Sequence, residues 1–272
     1  MSAPNTLPYW HVDAFADRPF AGNQAAVMPL DEWLPDEVLQ AIGEENNFAE
    51  TAFILPDASG ETDFELRWFT PAMEIRLCGH ATLASGHVAL AHMPQFAERD
   101  LVTFRTRRAG NLEVRRAETG YELALPAIPT ERSEWPEAVE LLGAKPQEVW
   151  LNPDRYGIYL FESEEQVRAL DPDLKGLGAL GDDQFICTAP GSETDVVSRV
   201  FVPGGGVDED SFTGSAHAAL THFWANRLGR DSFTAFQVSR RGGHAACRLD
   251  GERAWLGGPC VTVVEGSFYL AG

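Results

Sequence analysis

Residues 67–81 read R-W-F-T-P-A-M-E-I-R-L-C-G-H-A, and residues 199–216 read R-V-F-V-P-G-G-G-V-D-E-D-S-F-T-G-S-A. Each stretch holds Arg-x-Phe-x-Pro, then a short acidic loop, then a Gly-x-Ala that opens a helix (Gly79-His80-Ala81 and Gly214-Ser215-Ala216). The agreement reads as an internal duplication. Two copies of this length are too long for solenoid units, so they predict two similar α+β domains facing each other. A ligand would lie in a cleft where both helix N-termini can reach it.

The pattern extends outward from both stretches. Strands are predicted at Pro8–Phe15, Ala25–Met28, Thr51–Leu55 and Phe64–Phe69, with a turn at Asp17–Asn23 and a helix from Pro35 to about Glu44. Gly79–His92 is apolar nearly all round, which predicts a buried helix. Strands follow at Leu101–Thr106, Leu112–Arg116 and Tyr121–Leu125, and Pro126, Pro129 and Pro136 mark a linker. The pattern then restarts with a helix at Pro136–Leu142, strands near Val149–Leu151 and Tyr156–Phe161, and a helix at Glu164–Leu170. Strands at Phe185–Thr188 and Asp195–Val202 lead to the helix Ser215–Leu228 and to further strands. The expected domains are 1–126, joined by about 265–272, and 127–264.

Composition limits the function classes. The chain has 272 residues, 44% hydrophobic and 23% charged, which excludes disorder, collagen and coiled coil. No apolar run approaches the roughly 20 residues of a membrane span. Met1–Asn5 has neither basic nor apolar character, so no secretory signal is expected. The net charge of −20 argues against nucleic acid and anionic membrane as partners. Four scattered cysteines without a C-x-x-C pair predict neither a disulfide framework nor a zinc site, and a reduced, cytoplasmic protein is expected. Phosphate-loop, dinucleotide and H-E-x-x-H motifs do not occur.

The site candidates follow from helix-end electrostatics. A helix N-terminus presents unpaired N–H groups and roughly half a positive charge. Gly79-His80 and Gly214-Ser215 are therefore two anion cradles, suited to a small anionic metabolite. His80 lies in a first turn, where the dipole predicts a neutral ring. His217 reads as a satisfied buried histidine, and His87 and His92 as packing or surface. Asp208, Glu209 and Asp210 crowd one loop, where mutual repulsion can raise a carboxyl pKa. Glu50 abuts an apolar strand, where desolvation would suit it to proton transfer, but an acid at a strand end is more often exposed and composition does not select it. Cys78, at a helix start, is expected to be moderately reactive. A two-thiol racemase would need a second cysteine at the equivalent place, which holds Thr213.

The sequence resembles the PhzF family, the phenazine-biosynthesis-like proteins of the diaminopimelate epimerase fold. The matching segments are Val12–Asn23 (V-D-A-F-A-D-R-P-F-A-G-N), Glu50–Phe53 (E-T-A-F), Arg67–Pro71, Leu77–Ala84 (L-C-G-H-A-T-L-A), Thr213–His217 (T-G-S-A-H) and Gln237–Gly243. The resemblance implies two pseudo-symmetric domains, each a curled mixed sheet around a central helix, with the chain end crossing back to the first domain. It implies a homodimer and an isomerase without metal or organic cofactor. The family's best understood member isomerises trans-2,3-dihydro-3-hydroxyanthranilate. By the same resemblance Glu50, His80 and Asp210 are catalytic, and Gly79, Gly214, Ser215, Asn23 and Thr213 bind substrate. Gln24 stands where the family often has proline, and Ser211-Phe212 replaces a Pro-containing pair, which bears on substrate identity. The alternatives are an amino-acid epimerase or racemase, or a non-catalytic small-molecule-binding relative.

Overall fold

The computed structural model describes residues 6–270, so Met1–Asn5, read above for a signal, and residues 271–272 lie outside it. The chain divides into two compact units, residues 1–124 with 257–272, and residues 125–256. The returning segment thus starts at Gly257, before the expected residue 265.

Unit 1 begins with β1 (Thr6–Ala14), β2 (Asn23–Pro29), α1 (Asp36–Asn46), β3 (Glu50–Pro56), β4 (Phe64–Phe69) and β5 (Glu74–Ile75). It continues with α2 (Gly79–His92), β6 (Leu101–Thr106), β7 (Asn111–Ala117) and β8 (Gly120–Pro126), where the chain crosses to unit 2. Unit 2 holds β9 (Glu131–Ser133), α3 (Pro136–Leu141), β10 (Glu148–Asn152), β11 (Tyr156–Leu160), α4 (Glu164–Arg168) and α5 (Leu174–Leu180). There follow β12 (Gln184–Pro190), β13 (Val196–Val202), β14 (Val207–Glu209), α6 (Gly214–Leu228), β15 (Ser232–Gln237) and β16 (Gly243–Asp250). The chain returns within β17 (Arg253–Gly258), and β18 (Cys260–Tyr269) completes unit 1.

The pairing pattern is the same in both units. β1–β2 and β10–β11 are antiparallel, β2–β3 and β11–β12 parallel, and β3–β4 and β12–β13 antiparallel. β5 and β14 fold back on β4 and β13, and the chain then runs through α2 or α6 before β6 or β15 pairs parallel to β4 or β13. The antiparallel pairs β6–β7 and β15–β16 follow. The fold is therefore α+β with an internal repeat. It extends to side chains: Arg67 grips Glu74 through Nε (2.8 Å) and Nη2 (2.9 Å), and Arg199 grips Glu209 through the same atoms at 2.7 and 2.9 Å. Each guanidinium also lies over the phenylalanine two residues on, Phe69 at 5.0 Å and Phe201 at 4.8 Å. The acidic loops of the sequence reading are thus short strands that deliver Glu74 and Glu209.

In unit 1 the sheet curls around α2, which packs against β1, β2, β3, β6, β7 and β18. The helix is buried from Gly79 to Leu90. Its small residues let the strands come close: a Cβ on Gly86 would stand 2.3 Å from Val114 Cγ1 of β7. Leu39 and Ile42 of α1 close a second core with Met28, Phe53 and Phe69. In unit 2, α3, α4 and α5 cover Tyr159, Phe185 and Phe201 through Ala138, Val167 and Leu177. α5 was not foreseen. Gly176 sits where a Cβ would meet Leu141 at 2.4 Å, and its N–H is capped by Asp173.

Candidate active site

Unit 1 brings Glu50, Cys78, His80 and Asn23 together at the start of α2. Glu50 opens β3 beside Ala25 of the parallel strand β2. Asn23 opens β2, aimed by the tight turn before it. Gly22 has φ +60, and a side chain there would collide with the Ala14 carbonyl oxygen at 2.1 Å. The Phe20 N–H donates to Asp13 Oδ2 at 2.8 Å and pins the same turn. Cys78 is the extended residue before the helix, and no side chain caps the helix start.

His80 lies between these groups, 3% exposed. Its Nε2 stands 2.9 Å from Glu50 Oε2. Its Nδ1 faces Asn23 Nδ2 at 3.2 Å and Cys78 Sγ at 3.5 Å. Asn23 Oδ1 accepts the Gln24 N–H at 3.0 Å, which turns the Asn23 amide NH₂ toward the ring. Whenever the ring is neutral, its one proton therefore sits on Nε2, facing Glu50. Glu50 Oε2 and His80 Nε2 thus face each other across a buried contact.

The helix dipole favours a neutral ring, and the ionisable neighbours act the other way. Burial opposes a charged ring, but the neighbouring Cys78 sulfur and Glu50 carboxylate outweigh it and hold the His80 pKa well above the usual value. The expected reactivity of Cys78 is corrected. Burial, with Glu50 nearby, pushes its thiol up to about 11, so the thiolate is scarce at neutral pH.

Unit 2 gathers Asp210, Thr213, Gly214 and Ser215 at the start of α6. Thr213 Oγ1 donates to Asp210 Oδ2 at 2.6 Å, and the Thr213 N–H donates to Gln237 Oε1 at 2.9 Å. Gln237 Nε2 returns to the Asp210 carbonyl at 2.7 Å. Ser215 Oγ exchanges hydrogen bonds with the Gln184 amide. The acids of this loop do not form one repelling cluster: Glu209 pairs with Arg199, and Asp210 with Thr213. Gln237 was visible only as the first residue of a matching segment, and Gln184 carried no sequence signal.

His217, His87 and His92 are held by packing and hydrogen bonds away from Glu50. His217 is fully buried, hydrogen-bonded through Nδ1 to the Thr213 carbonyl at 2.9 Å and stacked on Phe212 at 4.2 Å. Burial lowers its pKa to about 4. His87 bonds Tyr121 Oη at 3.0 Å and Thr262 Oγ1 at 2.8 Å, and His92 reaches the same Thr262 at 3.0 Å. No helix among the described residues is long and apolar enough to cross a membrane.

Known proteins give this geometry a context. The sequence pattern of the phenazine biosynthesis-like proteins (PhzC-PhzF) matches residues 12–266. An uncharacterized isomerase of Pseudomonas aeruginosa is 45% identical, across 97% of this chain and 99% of that protein. The crystal structure of a PhzF family protein from Enterococcus faecalis superposes with a TM-score of 0.90 at 40% identity, covering 97% of this chain and 100% of the other. A hydroxyproline epimerase from Agrobacterium vitis, solved with trans-4-hydroxy-L-proline, shares the fold at TM-score 0.64 and 11% identity, covering 99% of this chain and 94% of that one. The Pseudomonas aeruginosa relative is thus named an isomerase, and the Agrobacterium vitis protein that shares the fold an epimerase. By sequence pattern, relatives and fold, the chain belongs to the PhzF family of phenazine biosynthesis-like proteins.

Proposed function

We propose that the protein is a cofactor-independent isomerase of a small carboxylate substrate, with Glu50 carrying the proton. The observation behind this reading is the Glu50–His80 contact of 2.9 Å at an uncapped helix start. Moving a proton between two carbons needs one group that acts first as base and then as acid. Glu50 takes the proton from the first carbon and returns it to the second on the same face. His80 Nε2–H faces the carboxylate and stabilises it while it is ionised. The N–H groups at the start of α2, including that of Gly79, attract the substrate carboxylate. Two features count against the two-thiol epimerase: Thr213 in the equivalent place, and a Cys78 thiol raised to about 11.

The test is turnover in D₂O of a panel of small unsaturated carboxylates, led by trans-2,3-dihydro-3-hydroxyanthranilate, followed by mass spectrometry and NMR. Wild type is expected to isomerise a member of the panel. Glu50→Gln keeps the shape and removes the proton carrier, and is expected to lower kcat by about 10²- to 10⁴-fold with little change in binding. A near wild-type rate in Glu50→Gln overturns the assignment and makes Asp210 the next carboxylate to replace.

A further inference from the structure

A cavity open to solvent lies along β4, between β5 and the turn that follows β6. Four arginines, Arg67, Arg76, Arg107 and Arg108, line it with one carboxylate, Glu74. The buried Arg67 is spent on Glu74 and Asp36. Arg107 reaches the same two acids at 3.2 and 3.7 Å. Arg76 and Arg108 have no hydrogen bond or ion pair among the described residues. Even with Asp36 counted, two positive charges remain uncompensated around one cavity, in a chain whose net charge is −20. A second observation points to a missing acceptor. Trp68 also lines the cavity, and its indole N–H is buried without a hydrogen-bond partner. Buried donors are normally satisfied.

The internal repeat supplies a comparison within the chain. With Arg67 matched to Arg199 and Glu74 to Glu209, Arg76 falls on Ser211. The parallel pairs Leu66–Thr106 and Ser198–Gln237 then set Arg107 on Val238 and Arg108 on Ser239. In unit 2 that place is closed by short side chains. Ser239 Oγ donates to the Ser211 carbonyl at 2.6 Å, and the Val238 N–H donates to the Ser198 carbonyl at 2.8 Å. In unit 1 both serines are arginines, and the turn that carries Arg107 and Arg108 is locked by Thr106. Its Oγ1 accepts the Ala109 N–H at 2.8 Å and donates to the Gly110 carbonyl at 2.8 Å.

The chemistry selects a small dianion. A guanidinium presents its N–H groups as a fork that matches two oxygens of a phosphate. Two such forks on different elements suit a doubly charged group with three free oxygens better than a single carboxylate. The negative field of the whole chain disfavours a nucleic acid or another polyanion. We propose that Arg76 and Arg108, with Arg107 beside them, bind a phosphate dianion, either inorganic phosphate or the phosphoryl group of a small monoester. The site uses none of the residues assigned to proton transfer, and it stands or falls independently of the function proposed above.

The test uses the full chain, freed of phosphate by dialysis and followed by isothermal titration calorimetry. The buffer is held at about pH 8, where a phosphoryl group is doubly charged, with about 0.15 M NaCl to screen non-specific attraction. The probes are inorganic phosphate, glycerol 3-phosphate and acetate. One phosphate or ester is expected to bind per chain, and acetate at least about 10-fold more weakly. The tighter of the two phosphate probes identifies the source as the free ion or a monoester. Arg76→Gln and Arg108→Gln are each expected to weaken binding by about 10-fold or more, with circular dichroism confirming the fold. Arg132→Gln, in β9 of unit 2, removes the same charge elsewhere and is expected to leave the affinity unchanged. Four results overturn the proposal: no saturation by either phosphate probe at about 10 mM, unchanged affinity in Arg76→Gln or Arg108→Gln, an equal loss in Arg132→Gln, or acetate as tight as phosphate.

Discussion

Replacing Glu74 by Ala is expected to destabilise the protein more than the symmetry-equivalent Glu209→Ala. The Arg67 side chain is 2% exposed and holds two carboxylates, Glu74 at 18% exposure and Asp36 at 65%. Without Glu74, the one carboxylate left beside it among the described residues is Asp36, 2.9 Å away and well solvated. Breaking a buried pair from one side costs about 3–5 kcal/mol, and an exposed partner returns about 1 or less, leaving about 2–4 kcal/mol. Arg199 is better insured. It is 15% exposed, and its Nη1 also reaches the carbonyls of Leu170 (2.7 Å), Arg168 (3.3 Å) and Val167 (3.4 Å). Glu209→Ala is therefore expected to cost about 1–2 kcal/mol. Urea unfolding at pH 7, followed by tryptophan fluorescence, measures both. Acid supplies a second check. The hydrogen bond from Arg67 holds the Glu74 carboxyl below its ordinary value of 4.5. Its contribution is complete above pH 4.5 and fades as pH falls through the lowered native value. The gap between wild type and Glu74→Ala should narrow in that window. A Glu209→Ala loss equal to or larger than that of Glu74→Ala, or a gap that stays constant in acid, refutes the reasoning.

Two further outcomes are expected. Gly86→Ala would place a Cβ 2.3–2.9 Å from three Val114 atoms, at about 1–3 kcal/mol of overpacking. Val114→Ala should relieve it only in part, because Val114 Cβ itself lies at 2.5 Å; strict additivity in a thermal double-mutant cycle would sink this account. His217, with its native pKa lowered to about 4, must stay neutral inside while the unfolded chain protonates near 6.5. Stability is then intact above pH 6.5 and falls toward pH 4, by on the order of 3 kcal/mol, and an NMR titration showing His217 charging above pH 5.5 would contradict it.

The duplicated fold was legible because its markers are local. Arg-x-Phe-x-Pro and Gly-x-Ala each fix a turn or a helix start, and the small-residue run Gly79–His92 declares its own burial. The short strands Glu74–Ile75 and Val207–Glu209 escaped because two or three residues carry no periodicity. The helix Leu174–Leu180 escaped because its glycines serve close packing. At the site, helix-end physics picked out His80 but not the carboxylate that faces it, which comes from a strand 30 residues earlier. Glu50 stood out only through the family resemblance: nothing local says that the first residue of β3 points at the first turn of α2. The same holds for Asn23, whose amide orientation is set by the neighbouring Gln24 N–H.

The pairing of β1 with β18 sets Thr6 opposite Tyr269 and Ala14 opposite Cys260. A ribosome therefore delivers the first strand and its partner some two hundred and fifty residues apart. Residues 125–256 are all available to fold while β1 still waits with an open edge, and at about 5–20 residues per second the closing strand follows within roughly a few seconds. The amino-terminal unit, which bears Glu50 and His80, is the last to be finished. A nascent chain thus cannot complete that unit until residue 269 has been made, and a nonsense codon within β18 would strike the unit that bears Glu50.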